Sequence, residues 1–254
     1  MMARRSWEGK LIAVAGSLVL LLAWQWAGDA GMISTVFFPQ PSRIAEALTK
    51  LAMNGDLGAA LAATGGRFVV GLLCGGLLGA VLGLLMGWWP RLYDVLNPFI
   101  AAVYPIPKIA IFPLLLVVFG IGERSKYVVV SLSAFFPMLI TCLAGVRQIN
   151  KGYFEVGRNY GAAGHQFLTR ILIPGSLPSL LAGLRLSANM AFVIAISVEI
   201  VAAQSGLGVL LWYGWQTFRV AQIYAVLVVI AVIGLSISFL IDRLTHFIVP
   251  WMGE

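Results

Sequence analysis

Four stretches of this 254-residue chain contain no Asp, Glu, Lys or Arg: residues 11–28, 68–90, 127–146 and 220–241, which are 18, 23, 20 and 22 residues long. A helix needs roughly 20 apolar residues to cross a hydrocarbon core of about 30 Å, and each stretch qualifies. Two further apolar segments hold isolated charges: 98–119 contains Lys108, and 179–203 contains Arg185 and Glu199. The uncharged run 200–218 is different, because Gln204, Ser205, Gly206, Gly208, Gly214 and Gln216 interrupt it. It reads as a loop with a short interfacial helix. The pattern predicts an all-α polytopic membrane protein with six spans, near 10–28, 66–88, 98–119, 126–146, 179–203 and 221–246. Composition agrees: 60% of residues are hydrophobic and 11% charged, against about 25% charged in soluble domains. Charge this sparse cannot cover a water-facing surface, which excludes a soluble enzyme. A chain this apolar is not disordered either.

Six crossings place both termini on one side, and positive charge indicates which. A cytoplasmic N-terminus gives the cytoplasm Arg4, Arg5, Lys10, Arg91, Arg147, Lys151, Arg158, Arg170 and Arg243. The outside then receives Arg43, Lys50, Arg124, Lys126 and Arg219, so the count is nine against five. Arg67, Lys108 and Arg185 lie at or within helices and do not enter it; Arg185 reads as an interface anchor. The net charge of +7 needs nothing beyond this bias, and no basic run suggests a nucleic-acid surface. Trp24-Gln25-Trp26 follows the first apolar run where a signal peptide would carry small residues, so that run reads as a retained helix. Cys74 and Cys142 fall inside predicted spans and read as packing residues, with neither a disulfide nor a metal site implied.

Several local patterns carry more than a span count. In the external connection 29–65, Pro39, Pro41 and Ser42 precede Ile44, Ala45, Leu48, Leu51 and Ala52, a helical spacing that predicts a short amphipathic helix. The second span places Gly71, Gly75, Gly79, Gly83 and Gly87 at every fourth position. They form a slowly winding stripe that lets another helix approach closely, either as plain packing or as a sliding surface. The third span opens with Pro98 and carries Tyr104-Pro105-Ile106-Pro107-Lys108 and Pro113. Its prolines should kink it, and a membrane tolerates the freed carbonyls only where neighbours or water satisfy them. A lysine at this depth costs about 2.5–3.5 kcal/mol on insertion scales. Lys108 therefore either faces a pathway and attracts an anion, or pairs with an acid such as Glu199, or snorkels. Glu199, towards the external end of the fifth span, is open to a structural hydrogen-bonded role or to substrate contact.

The internal loop 147–178 is the longest cytoplasmic segment. Between Tyr153 and Pro174 its apolar and aromatic residues recur every three or four positions, interrupted by glycines. Two short helices joined at Gly161 fit this pattern, with Pro174 and Pro178 starting the next span. A short exposed helix with apolar anchors is suited to insertion into another protein's groove.

This loop resembles the cytoplasmic signature of ABC-importer permeases: Glu-Ala-Ala, three residues, Gly, nine residues, Ile-x-Leu-Pro. Glu155, Val156, Gly157, Gly161, Ile171, Ile173 and Pro174 stand at those spacings; Val156 and Gly157 replace the alanines and Ile173 the leucine. Pro105 to Ala110, Pro113-Leu114, Phe119 to Glu123, Gly145-Val146-Arg147, Gly183-Leu184-Arg185 and Gly206-Leu207-Gly208 resemble the branch that transports nitrate, sulfonates, taurine and bicarbonate. The likeness covers roughly 39–245.

The resemblance implies a type I ABC importer permease fold. Residues 1–56 would hold the first transmembrane helix and external connection, 57–246 a five-helix permease core, and 247–254 a C-terminal tail. It also implies a second permease copy, as a homodimer, and two cytoplasmic ATPase subunits that bind ATP and Mg. A periplasmic or lipid-anchored binding protein delivers a small anion, and the chain itself lies in the inner membrane with both termini cytoplasmic. This chain binds no cofactor in that scheme, and it has no Gly-x4-Gly-Lys-Ser/Thr loop. Glu155, Val156, Gly157, Tyr160, Gly161, Ile171, Ile173 and Pro174 would couple to the ATPases. Tyr104, Pro105, Pro107, Lys108 and Glu199 would line the pathway, and the glycine stripe would serve helix packing.

The rival readings are weaker. An ion-gradient-driven secondary transporter usually shows more intramembrane charges or inverted repeats. An intramembrane enzyme would need a motif that the two histidines, His165 and His246, do not form. A passive scaffold leaves the lysine beside kinking prolines unexplained.

Overall fold

In the computed structural model the chain is helical, with no strand among the described residues, which are 2–162 and 164–250. In order, the helices are α1 (Met2–Asp29), α2 (Pro41–Met53), α3 (Asp56–Trp88), α4 (Pro90–Val103), α5 (Lys108–Phe119) and α6 (Glu123–Gln148). They continue with α7 (Lys151–Asn159), α8 (Gly164–Phe167), α9 (Ile173–Ala202), α10 (Leu207–Gln216) and α11 (Val220–Ile248). A π-turn, Leu168–Leu172, joins α8 to α9. The side chains of Arg4, Arg5 and Lys10, and the last four residues of the expected tail 247–254, lie outside the described residues.

Local chemistry explains the boundaries. Pro41 opens α2 and Pro90 opens α4, positions where a missing N–H costs nothing. The side chain of Asn150 caps α7 by accepting from the backbone N–H of Gly152 at 2.8 Å. The expected amphipathic helix is α2, which buries Ile44 and Leu51. The run 200–218 holds the expected loop and short helix: the chain turns at Gly206, φ +133°, and α10 follows.

Among the described residues, four helical rods are long and apolar enough to cross a membrane: α3, α6, Gly164–Ala202 and α11. α1 covers the first expected span. The third span differs from expectation. It is not one kinked helix from 98 to 119 but two helices, α4 and α5, bent by 96°. Pro98 and Pro113 stay inside these helices. The break falls at Tyr104–Pro107, because Pro105 and Pro107 remove two N–H donors within three residues. α3 also starts ten residues earlier than the predicted 66, and at 1.5 Å per residue it is about 50 Å long.

α6 is the axis of the bundle. Val129, Val130, Ala134, Leu139 and Cys142 along it are wholly buried. Val129, Val130 and Ala134 share a cluster with Phe112 and Leu115 of α5 and Ala191, Ala195 and Val198 of α9. The glycine stripe of α3 faces α6 along its whole length. Gly71 lies against Val130, Gly75 against the Ser131 carbonyl and Gly79 against the Phe135 carbonyl. A methyl at Gly83 would stand 2.5 Å from the Leu139 carbonyl oxygen, and one at Gly87 would stand 2.5 Å from Cβ of Val146. On the other flank, Gly183 of α9 meets Thr141, and Gly145 of α6 meets Ser179. Backbone thus touches backbone, which is how helices adhere where lipid removes the hydrophobic drive. Cys142 packs in this core as expected, but Cys74 is exposed on α3.

α1 is peripheral. Most of its apolar side chains are exposed, and it is tied to the rest near its end. Gln25 Oε1 accepts from the N–H of Ser42 at 3.1 Å, and Gln40 donates to Asp29 at 2.9 Å. Trp24 stands edge-on to Tyr224 of α11.

Gly83→Leu should therefore destabilise the protein at or above the upper end of the usual overpacking cost, about 1–3 kcal/mol. Gly66→Leu, where a Cβ meets nothing within 4 Å, should be tolerated. The thermal midpoints of the two detergent-purified variants compare them; equal losses would show that close approach is not the cause.

Candidate functional site

At the end of the bundle remote from α7, four charges meet. Thr64 and Arg67, three residues apart, share one face of α3. Arg67 grips Glu123 of α6 with a two-pronged bond, Nε to Oε2 and Nη2 to Oε1, both 2.8 Å. Its Nη1 donates to Glu199 Oε1 at 2.7 Å and to the Ser205 carbonyl at 2.6 Å. Glu199 Oε2 accepts from Thr64 Oγ1 and from the Gly208 N–H, each at 2.9 Å. The N–H of Leu207 donates to Thr64 Oγ1, also at 2.9 Å. Lys126 completes the set by donating to Glu123 at 2.9 Å.

Two cations thus balance two carboxylates, and Arg67, Glu199 and Lys126 are buried. A buried ion pair repays its desolvation only when its remaining bonding capacity is also used, and here Thr64, the Ser205 carbonyl and the Gly208 N–H take up that of Arg67 and Glu199. The N–H groups of Leu207 and Gly208 are first-turn donors of α10 that its own helix cannot use. Arg67 stands 21 residues before Trp88, about 32 Å along α3, so the cluster lies near one boundary of a hydrocarbon core of about 30 Å.

This corrects two expectations. Glu199 does not pair with Lys108, and its carboxylate, 1% exposed, offers no surface to a pathway. It is a lock between α3, α9 and α10. Lys126, counted as an external loop charge, is buried in the same cluster.

Lys108 begins α5 at the break. Its ammonium donates to the carbonyls of Tyr104 and Ile106 at 2.8 Å each and of Val103 at 3.3 Å. Its Nζ stands 4.4 Å from the ring centre of Phe136 and 5.7 Å from that of Tyr104. An ammonium has three donors, and three carbonyls take them. Lys108 thus bonds the carbonyls at the break where α4 ends, which is neither acid pairing nor snorkelling. Tyr104, Pro105, Pro107 and Lys108 form one elbow. Phe136 is halfway along α6, so the elbow lies at mid-height in the bundle. Irregular backbone at such depth is tolerated only inside protein or against a water-filled cavity.

At the opposite end from the charge cluster, the predicted pair of short helices is present as α7 and α8, with Gly161 between them at φ +75°. Trp88, Phe154 and Phe167 form an aromatic cluster, with Trp88 5.9 Å from each of the other two. Gly157 sits where α7 crosses the π-turn: a Cβ there would lie 2.9 Å from Ile171 Cδ1 and 3.0 Å from Phe167 Cε1. Glycine in place of the signature alanine thus lets α7 sit close to these two side chains, which would have to shift to admit a methyl. The outer face carries Tyr153, Val156 and Tyr160, which are 66%, 55% and 88% exposed, and Glu155 is exposed beside them. Ile173 and Pro174 are exposed at the start of α9. Arg185, read as an interface anchor, pairs with Asp242 of α11 at 2.9 Å.

Neither the charge count, which omits Arg67, nor the motif that contains Glu123 singles out this pair in the sequence. One signal would have found Arg67: it stands four residues before Gly71 and so extends the glycine stripe towards α6. Arg67→Met should cost about 3–5 kcal/mol, because it strands a buried carboxylate. Adding Glu199→Leu should recover part of that loss. Thermal midpoints of the three variants test this, and simple additivity would refute the lock.

Residues 75–254 match the family model described as binding-protein-dependent transport system inner membrane component. The chain is 30% identical over 248 residues to the taurine transport system permease protein TauC of Escherichia coli, covering 96% of this chain and 90% of the relative. It is 29% identical over 251 residues to the putative aliphatic sulfonates transport permease protein SsuC of Bacillus subtilis, covering 99% and 90%. A chain of the inward-facing MetNI methionine ABC transporter superposes with a TM-score of 0.68 at 22% identity, over 75% of this chain and 94% of that one; this likeness concerns the fold. The packed helical core and the matched family model together place the chain in the binding-protein-dependent transport system inner membrane component family, as an ABC transporter permease.

Proposed function

We propose that the chain forms half of an inner-membrane pathway for a small sulfonate-like anion, driven by ATPase subunits that grip α7. The observation that carries this reading is the two-sided character of α7. One face is anchored through Phe154 and Gly157, while Tyr153, Val156 and Tyr160 point outward as three apolar anchors on one exposed stripe. Such a stripe suits a partner's groove. Its anchored face touches Trp88 at the end of α3 and Ile171 in the turn that runs into α9. A push on α7 therefore reaches two spans directly, and both carry the push to the Arg67 lock. In this scheme ATP and Mg belong to the ATPase partners, a second copy of the permease completes the pathway, and a binding protein supplies the solute on the Arg67 side. The termini are cytoplasmic; removing Lys126 from the external count widens the charge bias to nine against four.

The sulfonate class comes from the relatives' names and agrees with a cation at the mid-depth elbow. With its three protons taken by carbonyls, Lys108 acts on an anion through its field and through the shape it gives the elbow. Opening of the α4–α5 elbow is the step that alternating access requires, since some element must have two arrangements.

Two outcomes test this. A bulky residue at Gly161 meets open space but forces a side chain into the left-handed region, at a cost of about 1–2 kcal/mol. Gly161→Phe should leave the protein folded, keep ATP hydrolysis by the assembled complex and abolish uptake in reconstituted vesicles; full uptake would remove the coupling role. Lys108→Met should lose transport while Lys108→Arg retains part of it, and anion uptake unchanged in the Met variant would remove Lys108 from the pathway.

A further inference from the structure

α2 has a hollow on each flank, and the two differ in chemistry. On one side a groove between α1, α2 and α11 is lined by Leu21, Trp24, Ile44, Leu48, Tyr224 and Leu227, with almost no polar surface. On the other, a cavity of about 860 Å³ opens between α2 and the α10–α11 turn, with Arg43, Lys50 and Arg219 on its walls. We propose that this cavity binds the anionic headgroup of a membrane phospholipid.

Charge supports the assignment. Lys50 is engaged with Glu46 at 2.7 Å; Arg43 acts on the same carboxylate only through its field, and neither Arg43 nor Arg219 forms a salt bridge among the described residues. The Arg219 guanidinium stands over the Tyr213 ring, 5.7 Å from its centre. One acidic residue, Asp56, reaches the wall, so the cavity is net basic. Guanidinium groups without a carboxylate suit phosphate, which they grip with two parallel bonds.

Height supports it as well. Gln222 lines the cavity and Tyr224 the apolar groove; the two are only about 3 Å apart along α11. An apolar groove with a Trp–Tyr pair suits the aromatic belt at the hydrocarbon boundary, and that assignment puts the adjoining basic cavity at headgroup level. Val36 and Phe218 on its rim are 66% and 88% exposed, apolar contacts for the glycerol and upper acyl region. The cavity has room for more than a lone small anion: about 860 Å³ falls among sites for drug-sized ligands, roughly 300–1,000 Å³. The leaflet is the outer one if the proposed orientation holds; the site itself does not depend on the transport reading.

The test uses the full-length chain in detergent, with retained lipid read by native mass spectrometry and stability by thermal midpoint. Phosphatidylglycerol should bind and stabilise more than phosphatidylcholine. Arg43→Gln with Arg219→Gln should weaken phosphatidylglycerol binding by about 30-fold, on the usual contribution of a basic residue beside an anionic lipid surface. The doubly Lys-substituted variant should keep the preference, which separates charge from folding; if the Gln pair does not fold, the two single Gln variants carry the comparison. Equal binding of the two lipids, or a preference unchanged in the Gln variant, would overturn the proposal. Inorganic phosphate alone stabilising the protein as fully as the lipid would overturn the lipid source. A Gln variant that binds lipid normally but no longer accepts the binding protein would assign the cavity to protein docking instead.

Discussion

The bundle depends on one guanidinium. Arg67 holds a carboxylate from α6 and another from α9, and through Glu199 and Thr64 it also fixes the start of α10. No single apolar contact joins so many elements, because dispersion is spread over many weak pairs. A charge taken out of water is costly alone, and in the finished bundle each member of this cluster is balanced by the others. That mutual dependence makes the lock all-or-none, a suitable property for the fixed end of a moving machine.

Rigid and yielding parts are separated along the chain. α3, α6 and α9 meet through glycines and share the lock, so their relative positions leave little room for adjustment. The α4–α5 elbow is held by different means: one lysine ammonium on three carbonyls and the ring of Phe136. Three hydrogen bonds can exchange one set of partners for another without unpacking a core. The moving element proposed for transport is thus the one whose stabilisation comes from a single flexible side chain.

Much of this was legible from residue order. Gaps between charges located the spans, the spacing of Ile44, Leu48 and Leu51 located α2, and Gly161 with the prolines after it divided the segment around α7. What failed to show were relations between distant residues. Arg67 and Glu199 are 132 positions apart, and nothing local to either names the other. The 96° elbow was read as a kink because proline counts indicate lost hydrogen bonds but not the direction the chain takes afterwards. The close packing at Gly157 does not show in residue order for the same reason: Ile171 and Phe167 arrive from a later turn.

The distance in sequence between the members of the lock also sets a timetable. Arg67 leaves the ribosome 56 residues before Glu123 and 132 before Glu199. At synthesis rates of about 5–20 residues per second, the second carboxylate follows some 7–26 s later. Until Glu123 emerges, about 3–11 s after Arg67 at the same rates, the nascent helix carries an unmatched positive charge, and its pairing stays incomplete until Glu199 follows. Because Arg67 sits at the rim of the bilayer rather than at its centre, its long side chain can reach lipid phosphates while it waits. The placement that serves the finished bundle therefore also lets the half-made chain be inserted from its first spans onward, and assembly is completed only when the fifth span has been translated.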